Sequence, residues 1–154
     1  GDLRFVALER LPSAMLARSS APSGWEVAGA PTRIEHPGPD FEAGVDARVD
    51  CAALLSRLDA VIAVDGLPLR LAGLLGRSGV ALLPGASNWI WRIEGDKTPV
   101  YPSLSLLRQK SEGSLATLLP EAVQRVRGMV RSRSSEENPT ENQPLPGSLL
   151  PRNM

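Results

Sequence analysis

The segment AVIAVDGLPLRLAGLLGRSGVALL, residues 60–83, decides the fold. Residues 60–65 are apolar and β-branched up to a terminal aspartate, a pattern typical of a buried strand in a parallel sheet. Residues 68–75 begin with proline and are followed by Gly76, which predicts a helix because proline is tolerated in a first turn and glycine commonly follows a last one. Residues 78–83 return as a second buried strand. The segment therefore predicts a strand, a helix and a parallel strand in succession.

The flanking sequence predicts a doubly wound α/β domain over residues 1–131, with a parallel sheet between helices. Residues 132–154 are rich in Ser, Glu, Asn and Pro, so burial cannot offset their ordering cost, and we expect a disordered tail. The expected flanking elements are a strand buried on both faces over residues 4–8, a brief helix over 13–18, a minor strand around 32–36 within a loop-dominated stretch, a helix over 51–57 capped by Asp50, a strand over 104–107 and a helix over 115–130.

Composition and charge argue against several classes of function. Lys and Arg total 17 and Asp and Glu total 17, so no overall field attracts nucleic acid. The single Cys51 excludes an internal disulfide, and the lone His36 makes no convincing metal site. The apolar runs fall far short of the roughly 20 residues that a membrane span needs. The chain also lacks the GxGxxG pattern of nicotinamide and flavin sites. We expect no cofactor, no metal, no nucleic-acid partner and a cytoplasmic location.

The junction between the strand at 60–65 and the following helix is a candidate anion site. Free amides and the positive end of the helix dipole at Gly66 and Leu67 favour a phosphate, and ligands of open α/β sheets bind beyond the carboxyl ends of strands. Arg70 adds positive charge. A plainer interpretation is that Asp65 only caps the helix and that Arg70 is a solvated first-turn residue.

Other candidates lie further along the same predicted edge. Residues 84–103 form a long connection in which Trp89 and Trp91 either flank a base or sugar or, as we favour, form a satellite core beneath the loop. Glu9 follows the first strand and is either a ribose contact or part of a charged turn. Arg108 ends the last strand and meets either a diphosphate or a structural partner.

Several short blocks occur in a defined order: LDAVIAVD at 58–65, LAG at 71–73, Gly76, LLP at 82–84, WIWR at 89–92, YPS at 101–103 and LRQ at 107–109. Together they resemble the C-terminal domain of heptosyltransferase-like glycosyltransferases of the family 9 type, particularly those fused behind tetratricopeptide repeats in bacteria. In that family a small hydroxyl residue follows the aspartate and a histidine precedes the Leu-Ala pair. Here Asp65 matches, whereas Gly66 and Arg70 occupy the other two positions.

The resemblance implies a GT-B arrangement of two Rossmann-like halves, of which this chain resembles the nucleotide-sugar-binding half. It implies a nucleoside diphosphate sugar as donor, an unknown protein or glycan acceptor, and an N-terminal half that supplies the catalytic base, so the chain alone should be inactive. No catalytic residue is assigned within the chain. The expected substrate-binding residues are Glu9, Asp65, Gly66, Leu67, Arg70 and Arg108.

Two alternatives remain open. One is a degenerate, non-catalytic transferase-like domain that acts as a protein-interaction module, with Gly66 and Arg70 marking a lost site. The other is a nucleotide-binding α/β domain of another enzyme class.

Overall fold

The computed structural model describes residues 3–9, 11–20, 22–30, 32–41, 44–92, 95–110 and 113–136. The strands within these ranges are β1 (Phe5–Val6), β2 (Leu16–Arg18), β3 (Trp25–Val27), β4 (Ile34–Glu35), β5 (Val61–Val64), β6 (Gly79–Leu83) and β7 (Leu104–Arg108). The α-helices are α1 (Ala47–Leu55), α2 (Leu67–Leu74) and α3 (Leu119–Glu136), and short 3-10 helices cover Ser13–Met15, Trp89–Trp91 and Leu115–Leu118.

The parallel sheet has the strand order β5-β6-β7, and both of its strand pairs are parallel. In the register of these pairs, Val61 lies opposite Gly79, which in turn lies opposite Leu104. The predicted unit of strand, helix and parallel strand over residues 60–83 is therefore confirmed, as is the strand predicted at 104–107.

Both faces of this sheet are covered, which explains why its strands are continuously apolar. All five residues of β6 are buried. Val80 and Leu82 cluster with side chains of α3 on one face, whereas Ala81 and Leu83 cluster with Leu69 of α2 on the other. This alternation follows from the opposite directions of successive side chains along a strand. The predicted parallel sheet flanked by helices is confirmed.

Glycine ends α2 as predicted. Gly76 has φ +65°, a left-handed conformation that glycine adopts without steric cost. Its N–H donates to the carbonyl of Gly73 over 3.1 Å, and the N–H of Arg77 donates to the carbonyl of Ala72 over 2.9 Å. These paired bonds form a Schellman motif, which satisfies carbonyls of the last turn and directs the chain into β6.

The first four strands form a separate mixed sheet of order β1-β4-β3-β2, so the expectation of one doubly wound sheet is wrong for the described residues. β1 pairs in parallel with β4, and the other pairs are antiparallel. β1 was expected to be buried on both faces, but it has β4 alone as its partner in the sheet and its side chains are half-buried. An edge strand of two residues cannot be enclosed as a central strand is.

The prediction of a helix over residues 13–18 is also wrong. A 3-10 turn over Ser13–Met15 leads into β2, which pairs antiparallel with β3, a strand that the sequence did not indicate. Gly24 lies between these two strands with φ +73°. The pairing of two three-residue segments overrides the weak local preference for helix, as is common for β structure. The minor strand expected around 32–36 is confirmed as β4.

Both outer helices differ from their predicted bounds. α1 begins at Ala47, because the carbonyl of Asp46 accepts the N–H groups of Val49 and Asp50, so Asp50 lies in the first turn and is not the cap. α3 extends to Glu136, beyond the predicted start of the tail at residue 132. Within this extension the Ser132 hydroxyl donates to the carbonyl of Gly128, four residues earlier, a bond that serines inside helices commonly make.

The rest of the tail prediction, residues 137–154, lies outside the described residues. Within the part of the chain that the structure describes, none of the helices has the length and apolar character needed to cross a bilayer.

Candidate functional site

The predicted site residues follow strands that end at the same edge of the parallel sheet. Because β5, β6 and β7 are parallel, their last residues lie along one edge, called the carboxyl edge below. Asp65 follows β5, the connection over residues 84–103 follows β6, and Arg108 ends β7. The topology therefore brings Asp65, the long connection and Arg108 to the edge where open α/β sheets bind ligands.

Asp65 and Arg70 form an ion pair at the start of α2. The Nε of Arg70 donates to Oδ1 of Asp65 over 3.0 Å, and Nη2 lies at the same distance from that oxygen. The Arg70 side chain is 44% exposed and that of Asp65 is 24% exposed. The alternative in which Asp65 caps the helix is therefore wrong, because its contact in the structure is the guanidinium. The pair presents both charges to solvent beside the helix N-terminus.

The N-terminus of α2 has a cap without a side chain. Gly66 is the N-cap, with extended backbone angles of φ −170° and ψ −176°, and its carbonyl accepts the N–H of Arg70 over 3.2 Å. Pro68 follows in the first turn and carries no N–H. The amide of Leu67 is thus left at the positive end of the helix dipole without a capping oxygen from Gly66, the arrangement that binds anions at helix starts.

Glycine is not required at position 66 by the backbone. Its extended φ is open to any residue, and an added Cβ would lie 3.9 Å from Pro68 Cδ and from the Val64 carbonyl oxygen. Both are ordinary van der Waals contacts. A hydroxyl residue, which the resemblance leads us to expect here, would therefore fit without displacing its neighbours.

Arg108 braces the connection that follows β6. Its Nη1 donates to Oγ of Ser87 over 2.6 Å, and its Nη2 donates to the carbonyls of Trp91 and Arg92. The sequence allowed a diphosphate or a structural partner for Arg108. The structure shows structural partners, which are backbone carbonyls and a serine hydroxyl of the connection and not a carboxylate. Both terminal nitrogens of Arg108 therefore contact the connection, and a role towards a diphosphate stays a prediction.

The aromatic residues of the connection divide into two roles. Trp91 is fully buried and its ring centroid lies 5.5 Å from that of Tyr101, which packs against Gly73 of α2. Trp89 is 81% exposed. The predicted core role therefore holds for Trp91, although it joins the main cluster of α2, β6 and β7 and not a satellite core. Trp89 projects into solvent from the same 3-10 turn.

Glu9 lies shortly after the end of β1. The preceding residue, Leu8, packs against a buried cluster formed by residues of α1, α2 and β5, which are Cys51, Leu55, Val61 and Ala72. The Glu9 side chain is exposed, and its carbonyl accepts a hydrogen bond from Nε2 of His36 over 2.9 Å. The contact of Glu9 in the structure is thus the one that its backbone makes with His36.

His36 has a role that the sequence did not indicate. It is fully buried, and its Nδ1 accepts the N–H of Gly38 over 3.0 Å while Nε2 donates to Glu9. The imidazole therefore joins the segments that follow β1 and β4, with both ring nitrogens engaged. Among the described residues, no three His, Cys, Asp or Glu side chains are grouped so that they could hold a metal ion.

Comparison of the chain with family models, with curated proteins and with solved structures gives no match. The resemblance to the heptosyltransferase-like family therefore stays a prediction from the sequence blocks.

Proposed function

We propose that this chain binds a nucleoside diphosphate sugar at the carboxyl edge and is the donor-binding half of a GT-B glycosyltransferase. The observation that carries the proposal is the half-exposed guanidinium of Arg70 held beside the glycine-capped N-terminus of α2. An amide-lined helix start and a guanidinium are both suited to pyrophosphate oxygens, and here they occur together at a sheet edge where such ligands bind.

The ion pair assigns a separate task to each of its members. Asp65 engages the Nε and Nη2 side of Arg70, so the Nη1 side of the fork is left to approach the diphosphate. The second oxygen of Asp65 is then available to accept hydrogen bonds from sugar hydroxyls. When the glycosidic bond breaks, the departing diphosphate gains negative charge, which Arg70 and the helix dipole stabilise.

The contacts to the acceptor and the catalytic base are expected from an N-terminal half, as the resemblance implies. The chain should therefore bind the donor without transferring its sugar. Binding, and not turnover, is the measurement that tests the proposal.

Isothermal titration of the full chain with UDP-glucose, GDP-mannose and ADP-glucose is the test. At least one should bind, and Arg70→Gln should weaken it about tenfold or more, because a charge-assisted hydrogen bond contributes about 1.5–3 kcal/mol. Arg57→Gln removes an exposed arginine that lies just after α1 and is the matched control, expected to leave affinity unchanged. Absence of binding at millimolar ligand, or equal losses in the two variants, would contradict the proposal.

A second function, a non-catalytic interaction module, is favoured by one observation. The charges of Asp65 and Arg70 already neutralise each other, which is the arrangement expected of a site that no longer meets a ligand. This alternative predicts that Arg70→Gln leaves nucleotide binding unchanged and lowers stability by less than about 1 kcal/mol, as for other exposed ion pairs.

A further inference from the structure

A cavity of about 630 Å³ lies at the end of the parallel sheet opposite the carboxyl edge. Residues 76–78 lead into β6, and the carbonyl of Ser78 accepts the N–H of Val61, the first residue of β5, over 3.0 Å. The cavity is thus at the edge where the parallel strands begin, called the amino edge below. Its lining comes from the turn after α2 and from the second half of α3, and includes Leu75, Arg77, Ser78, Met129, Ser132 and Arg133.

The polar part of this lining consists of arginines and serines. The turn and α3 each supply one residue of both kinds, and no Asp or Glu is found among the described residues that line the cavity. Guanidinium groups only donate hydrogen bonds, and serine hydroxyls are able to donate. A second cavity, of about 300 Å³ between the mixed sheet and α3, has a carboxylate in its lining, since Glu35 pairs there with Arg4. The positive charge of the amino-edge cavity has no such counterpart.

Arg77 holds a polar atom that the described protein does not satisfy. Its Nε is buried and has no hydrogen-bond partner within the part of the chain that the structure describes. Neither Arg77 nor Arg133 takes part in the ion pairs found there. A buried donor that lacks a partner costs free energy, and such donors are normally satisfied by a bound molecule or an ordered water.

The backbone that carries Arg77 is fixed. The Schellman motif at the end of α2 engages the N–H groups of Gly76 and Arg77, and Ser78 is bonded to β5 through its carbonyl. The guanidinium is therefore attached to the sheet and not to a free loop, which is the support that a binding site requires.

Arg133 alone has a plainer explanation. It lies in the last turn of α3, where a positive charge interacts favourably with the helix dipole. This explanation does not account for the buried Nε of Arg77, nor for a second guanidinium in the lining of the same cavity.

We infer that the amino-edge cavity binds the phosphate group of a small phosphorylated molecule, at a site independent of the donor site proposed above. Two guanidinium groups from different elements pair well with phosphate oxygens, and the serine hydroxyls suit the remaining ones. The cavity is larger than a phosphate ion and lies within the range of about 300–1,000 Å³ that is usual for small-molecule sites. Leu75 and Met129 provide apolar surface for the organic part of the ligand.

Amide NMR of the full chain, titrated with phenyl phosphate, tests this inference, and phenol is the matched ligand without the phosphate. Phenyl phosphate should shift the signals of Gly76, Arg77 and Ser78 saturably at millimolar concentration, whereas phenol should not. Inorganic phosphate should shift the same signals with lower affinity, because it has no apolar part to contact Leu75 and Met129. The signals of Gly66 and Leu67 report the carboxyl edge separately, so failure at one edge is distinguishable from failure at the other.

Variants then assign the affinity to the two arginines. Arg77→Gln should weaken phenyl phosphate about tenfold, because it removes a charge-assisted hydrogen bond. Arg133→Gln should weaken it about threefold, since this arginine is exposed. Arg131→Gln is the matched control: it removes the same charge from an exposed position of α3 outside the cavity lining and should leave the affinity unchanged. If circular dichroism shows that Arg77→Gln is unfolded, the comparison of Arg133→Gln with Arg131→Gln decides.

Three results would overturn the inference. Phenyl phosphate gives no saturable shifts at the amino edge, phenol shifts the same signals equally, or Arg131→Gln weakens binding as much as Arg133→Gln, which would indicate a response to overall charge. Co-sedimentation with phosphatidylglycerol vesicles distinguishes a lipid source of the phosphate. Retention on these vesicles without binding of phenyl phosphate would assign the arginines to a membrane surface and would also overturn the inference.

Discussion

The two sheets of this molecule are stabilised in different ways. In the parallel sheet every residue of β6 is buried, with helices on both faces. In the mixed sheet the strands of the described residues bury only Leu16 and Glu35, and the latter is held by the exposed guanidinium of Arg4. Apolar burial therefore stabilises most of the parallel sheet, whereas hydrogen bonds and an ion pair contribute much of the stability of the mixed sheet.

This difference explains where a ligand site can form. The carboxyl edge of the parallel sheet is held by buried strands, so the start of α2 and the turn that carries Trp89 keep a fixed geometry. A binding site needs such positional accuracy, to within roughly half an ångström for its polar groups. The ion pair and the helix start on which the proposal depends both belong to the segment that follows β5, and none of their residues lies in the mixed sheet.

The largest expected effect comes from truncating the centre of the parallel sheet. Leu83→Ala should lower the free energy of unfolding by about 2–5 kcal/mol, because it leaves a cavity in a site enclosed on both faces. Leu16→Ala in β2 is the matched change in the mixed sheet and should cost roughly half as much, since an edge strand can collapse onto the gap. Urea unfolding followed by circular dichroism measures both, and equal losses would remove the contrast between the sheets.

A smaller loss is expected where α2 meets the long connection. A Cβ at Gly73 would lie 2.5 Å from Cδ1 of Tyr101, so Gly73→Ala should destabilise the fold by about 1–3 kcal/mol by forcing the ring away. Gly128→Ala in α3 is the control, because nothing lies within 4 Å of its added Cβ. That variant should gain about 0.5–1 kcal/mol from helix propensity. Thermal melts should therefore shift in opposite directions for the two glycines.

The polar character of the mixed sheet is tested at His36. His36→Phe keeps a ring in the buried space but removes both nitrogens, which leaves the Gly38 N–H and the Glu9 carbonyl without these partners. We expect a loss of about 1–2 kcal/mol in the free energy of unfolding. A neutral or stabilising result in urea unfolding would mean that apolar packing, and not hydrogen bonding, holds the ends of β1 and β4 together.

The smallest expected effect is at the carboxyl edge itself. Gly66→Ser places a hydroxyl at the N-cap of α2, where serine is slightly preferred to glycine and fits without a clash. The melting temperature should rise slightly, in line with a gain of a few tenths of a kcal/mol. A clear loss of stability would show that Gly66 is packed more tightly than its neighbours indicate. The tight packing of the parallel sheet would then continue to its carboxyl edge.

The parallel unit was predictable because its local and tertiary signals agree. Residues 60–83 contain continuous apolar runs, a first-turn proline and a terminal glycine. The local structure that each of these features favours is the one that the segment adopts in the fold. β2 and β3 were missed because three-residue strands have no reliable period, and their pairing exists only once Gly24 turns the chain. The start of α1 was missed because Asp50 is as good a capping residue as Asp46.

The candidate site was predictable as a place but not as a set of contacts. The end of β5 and the start of α2 fixed the positions of Asp65 and Arg70, and both lie where the sequence placed them. Their mutual ion pair was not foreseen, since spacing alone does not say which partner a side chain selects. The partners of Arg108 were even less predictable from the sequence, because they lie 16–21 residues away and two of them are backbone carbonyls.

The absence of a clash for a Cβ at Gly66 also bears on how this chain can change over generations. A tightly packed glycine can be replaced only together with its neighbours. Gly66, in contrast, can be replaced by serine in a single substitution that leaves the fold intact. Folding therefore places little constraint on whether this position carries a hydroxyl. Its identity across descendants of this chain should report selection on ligand chemistry and not on folding.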